Sequence, residues 1–130
     1  MFTGIPHLLL VEGEPLLAEI TQFRLELLGY SVSHVPDAEE ALTFLRKTTP
    51  NLIVVNQMLS GLDGIELVNR LSNDEQFSDL PVMVLSSNAD LDNVQRAYNA
   101  GADDYLVTPY DPAILEAKVC TLLSIAAESD

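Results

Sequence analysis

Three short apolar runs, at residues 8–11, 52–55 and 82–85, constrain the fold of this chain more than any other feature. Each is continuous instead of alternating, and each is closed off by polar or turn-forming residues. A strand with one wet face alternates in polarity, whereas a strand covered on both faces does not. The runs therefore predict central strands of a parallel sheet with helices on both sides. Residues 31–35, Ser-Val-Ser-His-Val, alternate and suit an edge strand, and the short stretch 104–107 suits the other edge.

Helical patterns fill the gaps. Leu16, Ile20, Phe23 and Leu27 form the apolar stripe of a first helix, with Pro15 near its start and Gly29 past its end. Asp37 followed by Glu40 reads as a capping box for a second helix that buries Ala41, Leu42 and Leu45. Ile65, Val68 and Leu71 line a third. Leu91, Val94 and Tyr98 line a fourth, which Gly101 ends. Asp111-Pro112 starts a fifth that buries Leu115, Val119 and Leu122.

Five strand-then-helix units in a row predict one doubly wound α/β domain over 1–130, with a core from about 7 to 123 and a frayed tail at 126–130. The edge assignments fit the strand order 2-1-3-4-5 of flavodoxin-like folds. The switch point then lies between the first and third strands, where ligands collect in such sheets. Glu12-Gly13 and Asn56 stand at those two strand ends.

Composition narrows the function. A net charge of −14 with no basic stripe excludes nucleic-acid binding by this segment itself. The single cysteine, Cys120, permits no internal disulfide and is read as a small core residue in a reducing compartment. No apolar run approaches a membrane span, and the first residues lack the basic and apolar regions of a signal peptide. A cytoplasmic location is expected.

The segments 11–15 (Val-Glu-Gly-Glu-Pro), 51–64, 85–87 (Leu-Ser-Ser) and 100–110 carry a further message through their order and spacing. From residue 8 to about 123 the chain resembles bacterial response-regulator receiver domains, the CheY-like (βα)5 modules of two-component phosphorelays. The resemblance implies a pocket of two acids after the first strand, a phosphoacceptor aspartate ending the third, a hydroxyl ending the fourth and a lysine before a cis-proline. At those positions this chain has Glu12 and Gly13, Asn56, Ser86, and Thr108-Pro109.

An amide is neutral, with its nitrogen lone pair delocalised into the carbonyl, so Asn56 is not a competent nucleophile toward phosphorus. Gly13 offers no oxygen to a metal, and Glu14 reads as a helix-start carboxylate, leaving at best weak Mg²⁺ binding at Glu12. Thr108 lacks the lysine's charge and reach. No catalytic residue, resident metal or cofactor is expected. The resemblance also makes Tyr105 the switch aromatic of a face formed by the fourth helix, fifth strand and fifth helix. With Tyr98, Arg96 and Lys118, that face is expected to meet a protein partner, an output domain or a second copy.

The expected function is therefore that of a degenerate, pseudo-receiver signalling module working through protein contacts. Two alternatives differ in class. One is a phosphorylatable receiver that uses another acid, such as Asp63. The other is a flavodoxin-like ligand-binding module, against which the first loop (Glu-Gly-Glu-Pro) counts because it lacks a glycine-rich phosphate cradle.

Overall fold

The computed structural model describes residues 4–128. Ten elements alternate: β1 (His7–Val11), α1 (Pro15–Leu27), β2 (Ser31–Val35), α2 (Ala38–Leu45), β3 (Leu52–Asn56), α3 (Gly64–Ser72), β4 (Val82–Ser86), α4 (Leu91–Ala100), β5 (Asp104–Val107) and α5 (Pro112–Glu128). The strands make one parallel sheet in the order β2-β1-β3-β4-β5, as the sequence predicts.

The register explains the continuous apolar runs. Leu9, Val11, Ile53, Val55, Val82 and Val84 face one layer, which α2, α3 and α4 cover. Leu8, Leu10, Leu52, Val54, Met83 and Leu85 face the other, beneath α1 and α5. Successive residues of a strand point to opposite faces, so a strand buried on both must be apolar throughout. All of these side chains are at most 3% exposed. Each such burial is worth roughly 1.5–3 kcal/mol against the entropy of ordering the chain.

The helix starts follow the predicted chemistry. Asp37 accepts a hydrogen bond from Glu40 N at 2.9 Å, and Asp111 accepts one from Ala113 N at 2.9 Å. Glu14 caps α1 by accepting from Leu16 N and Leu17 N, with Pro15 in the first turn. Gly101, at φ 120°, ends α4. Gly64 opens α3 so close to β3 that a Cβ there would lie 2.3 Å from the Asn56 carbonyl oxygen. Only glycine lets the helix begin against the strand end.

Several expectations fail on the helices. The α1 stripe points outward: Leu16 is 63% exposed, Phe23 59% and Leu27 62%, with Ile20 also exposed. The buried face of α1 is instead Ala18, Thr21 and Leu25. On α4, Leu91 and Tyr98 are exposed and Val94 is half-buried, while Ala97 makes the close contact with the core. Cys120 is exposed, not a core residue. Residues 126–128, read as a frayed tail, continue α5; residues 1–3 and 129–130 lie outside the described residues.

Candidate functional site

The ends of β1, β3 and β4 meet at one edge of the sheet and bring three of the predicted residues together. Glu12, just past β1, is 1% exposed. One of its carboxylate oxygens accepts from Asn56 Nδ2 at 2.8 Å, and the other accepts from the Glu14 backbone N–H at 3.1 Å. Asn56 is 8% exposed, and its own Oδ1 accepts from Met58 N at 2.9 Å. The amide thus spans the strand ends, donating to the acid of β1 and holding the turn after β3. A buried carboxylate without a cation is costly unless hydrogen bonds satisfy it. These two donors supply that, and no ion pair reaches Glu12 among the described residues.

Ser86, ending β4, lines the same cleft as Asn56, and its hydroxyl joins a chain of amides. Its hydroxyl donates to Gln57 Oε1 at 2.8 Å and accepts from Asn88 N at 3.1 Å. Gln57 and Asn93 exchange two hydrogen bonds, Gln57 Nε2 to Asn93 Oδ1 at 3.0 Å and Asn93 Nδ2 to Gln57 Oε1 at 2.7 Å. Asn93 Nδ2 also donates to the Tyr105 hydroxyl at 2.7 Å, and that hydroxyl donates to the Asn88 carbonyl. Sequence reading missed Gln57, Asn88 and Asn93. The signal available was the amide doublet Asn56-Gln57 at a strand end and a third amide in the first turn of α4.

That network fixes Tyr105 inward. It is 7% exposed and lies under α4, so it supports the face it was assigned to without forming part of the surface. Truncating it would remove core hydrogen bonds as well as any contact. Surface positions there belong to Tyr98, Arg96 and Lys118. Asp104 organises two of them, accepting from Lys118 Nζ at 2.8 Å and from the Tyr98 hydroxyl at 3.3 Å. Burial raises the Tyr98 phenol above its ordinary value, and the Asp104 carboxylate beside it adds to the rise. Burial likewise raises Asp103, partly offset by the Val82 N–H that it accepts.

The remaining positions are more loosely tied to the pocket. Thr108 N donates to Ser86 O at 2.9 Å, and the Thr108-Pro109 bond is cis, as the family pattern implies. Gly13 is exposed, and a Cβ there would sit 3.2 Å from the Pro36 carbonyl oxygen. Asp63 lines a cleft of about 190 Å³ together with Asn56, Gln57 and Ser86. It is engaged as the α3 cap, accepting from Ile65 N at 2.7 Å, and lies 3.8 Å from Arg96.

A Mg²⁺ ion of the kind receiver domains use prefers carboxylate oxygens in octahedral geometry. Among the described residues Glu12 is the one acid at the ends of β1, β3 and β4, and both its oxygens already accept hydrogen bonds. The Glu14 carboxylate is spent on the α1 cap. Among the described residues no cluster of three or more His, Cys, Asp or Glu side chains is arranged to hold a metal. The donor set does not fit the ion.

The sheet order, the strand-end pocket and the cis-proline loop define a receiver-type α/β module. Residues 8–120 match the response regulator receiver domain family, and the chain belongs to it. It is similar to the transcriptional regulatory protein CseB of Streptomyces coelicolor, at 38% identity over 90% of this chain and 49% of that protein. The DNA-binding dual master transcriptional regulator RpaA of Synechocystis is 30% identical over 92% of this chain and 49% of its own length. The chain thus spans about half the length of the curated relatives it matches. Among solved structures, the receiver domain of a signal transduction histidine kinase from Syntrophus aciditrophicus superposes with a TM-score of 0.86. That match has 34% identity over 92% of this chain and 90% of that one.

Proposed function

We propose that this chain is an atypical receiver: a two-component signalling module that carries no acyl phosphate at the usual strand end and acts by protein contact. The observation that carries this reading is the Asn56–Glu12 hydrogen bond. At the position where the family's acceptor ends β3, a neutral amide is held against a buried carboxylate at 2.8 Å. An attacking oxygen would need negative charge there, and the metal that offsets it in the family has no fitting donor set. Without a nucleophile or metal, the module turns over no substrate, and its working surface is the α4–β5–α5 face around Tyr98, Arg96 and Lys118.

The two transcriptional regulators it resembles extend over about twice the matched length, and the third relative is part of a histidine kinase. The proposed partner is accordingly an output or sensor protein, joined to this module covalently or by docking, in the cytoplasm. Any DNA contact would fall to such a partner, because this chain carries a charge of −14.

The test is exposure of the chain to a small-molecule phosphodonor with Mg²⁺, followed by intact-mass measurement and hydroxylamine trapping. No phosphoryl adduct is expected. An adduct mapped to Asp63, the acid in the neighbouring cleft, would replace this reading with that of a phosphorylatable receiver using a displaced acceptor.

A further inference from the structure

The outward stripe of α1 has the spacing of a helix–helix seam. Leu16, Ile20, Phe23 and Leu27 follow one another at intervals of four, three and four residues, the a/d repeat of a two-stranded coiled coil. In that register Ile20 and Leu27 occupy a positions, Leu16 and Phe23 occupy d. The domain's own core takes the opposite side of the helix, Ala18, Thr21 and Leu25, each at most 2% exposed. A helix apolar on two opposed seams is built to be covered on both. Only one is covered by its own fold.

We infer that this seam is the contact between two copies of this chain, packed along α1 in parallel about a two-fold axis. Self-association requires a patch complementary to itself, and the residues flanking the seam supply this. Glu19 falls at a g position and Arg24 at the e position five residues on, the pair that faces across a parallel two-stranded seam. By symmetry Glu19 of each copy meets Arg24 of the other. Arg24 has donors to spare: its side chain is 36% exposed and is given one carboxylate, Glu116, by a single nitrogen at 2.7 Å. An antiparallel packing would instead oppose Glu19 to glutamates. Because the seam lies opposite the buried face of α1, the two domains stand on either side of the helix pair without competing for space. The α4 face belongs to the other layer of the sheet and stays free for a partner, so the inference holds whether or not the pocket accepts phosphate.

The charge of the chain makes this contact recognisable. Two bodies of net charge −14 repel at low ionic strength, while the seam itself is apolar. Salt screens this repulsion and also the flanking Glu19–Arg24 pairs, but exposed pairs contribute little and the apolar gain is left intact, so this dimer strengthens as salt is added. A contact built on charged pairs at the α4 face would weaken.

Sedimentation velocity over a concentration series, at low and high salt, tests the assignment on the intact chain. The wild type is expected to associate more tightly in high salt, with a Kd in the micromolar range that suits a small interface. Phe23→Glu should weaken association at least about tenfold, equivalent to about 1.4 kcal/mol. At concentrations below the Kd its melting temperature should match that of the wild type, since Phe23 is 59% exposed in the monomer. Glu19→Lys should weaken it too, and Arg96→Glu should leave it unaltered. A chain that stays monomeric at millimolar concentration in high salt would overturn the proposal. So would a dimer insensitive to Phe23→Glu, and one abolished by Arg96→Glu would move the contact to the α4 face.

Discussion

The side chain on which the proposed loss of phosphoryl transfer rests also ties two strand ends together. Asn56 donates to Glu12 from a buried position, so exchanging its amide for a carboxylate sets two negative charges within hydrogen-bonding distance. Like charges that close repel, and the repulsion is costly at a buried position. Asn56→Asp is therefore expected to lower stability by about 1–3 kcal/mol near neutral pH, read from urea unfolding. Alone it should not restore full phosphoryl acceptance, and adding Gly13→Asp and Thr108→Lys, a metal ligand and a cation, should raise it. Gly13→Asp brings its own strain, because its Cβ must displace the Pro36 carbonyl slightly. An Asn56→Asp variant as stable as wild type and readily phosphorylated would show that the amide is incidental. The positions of Glu12, Asn56 and Ser86 were legible as strand ends. Their partners were not, because Gln57, Asn88 and Asn93 meet only once β3, β4 and α4 are adjacent in space. Single-residue patterns do not encode that adjacency.

At the scale of elements, strands and helices differed in how much could be read. A strand buried on both faces must be apolar at every position, so its sequence states its environment directly. An amphipathic helix shows a stripe, but a stripe does not say whether the domain or a partner covers it. Helix α1 is the instructive case. Its larger side chains, Leu16, Ile20, Phe23 and Leu27, make the more conspicuous pattern yet face outward. The face packed on the sheet is the smaller set Ala18, Thr21 and Leu25. Thr21 is polar, and its hydroxyl is satisfied by Tyr110, which hides that position from a hydrophobic pattern. Helix α4 repeats the lesson with Ala97 inward and Leu91 outward. Alanine scanning of α1 checks the division. Leu25→Ala should cost about 2–5 kcal/mol by opening a cavity between α1 and α5. Phe23→Ala should stay within about 0.5 kcal/mol for the monomer. Equal losses at both positions would contradict the orientation of α1.

Across the whole molecule, the two proposed contact faces lie on separate sides of one sheet. The α1 seam lies with α5 on one layer, α4 lies on the other, and the polar pocket sits at the strand ends between them. What the layers share is an excess of acid, so pH acts on the entire domain. Burial raises the phenols of Tyr30, Tyr98 and Tyr110 above the ordinary value of 10.0, with neighbouring Cys120, Asp104 and Glu12 respectively raising them further. For Tyr110 the hydrogen bond with Thr21 opposes the rise. A group whose folded pKa lies above its unfolded one holds its proton more tightly in the native state. Its contribution is complete below the unfolded value and is lost as pH rises through the folded one. Stability should therefore begin to fall as pH passes about 10, where the unfolded chain releases tyrosine protons that the fold retains. Each tyrosinate formed also adds to the repulsion within a chain already at −14, so salt should soften the loss. Thermal melts in alkaline buffers, followed in parallel by tyrosinate absorbance, measure both effects. The absorbance is expected to lag behind free tyrosine and to rise with unfolding, and Tyr98→Phe should remove part of the lag. Tyr30, Tyr98 and Tyr110 titrating at the ordinary value in a protein that stays folded would contradict the environments of these phenols.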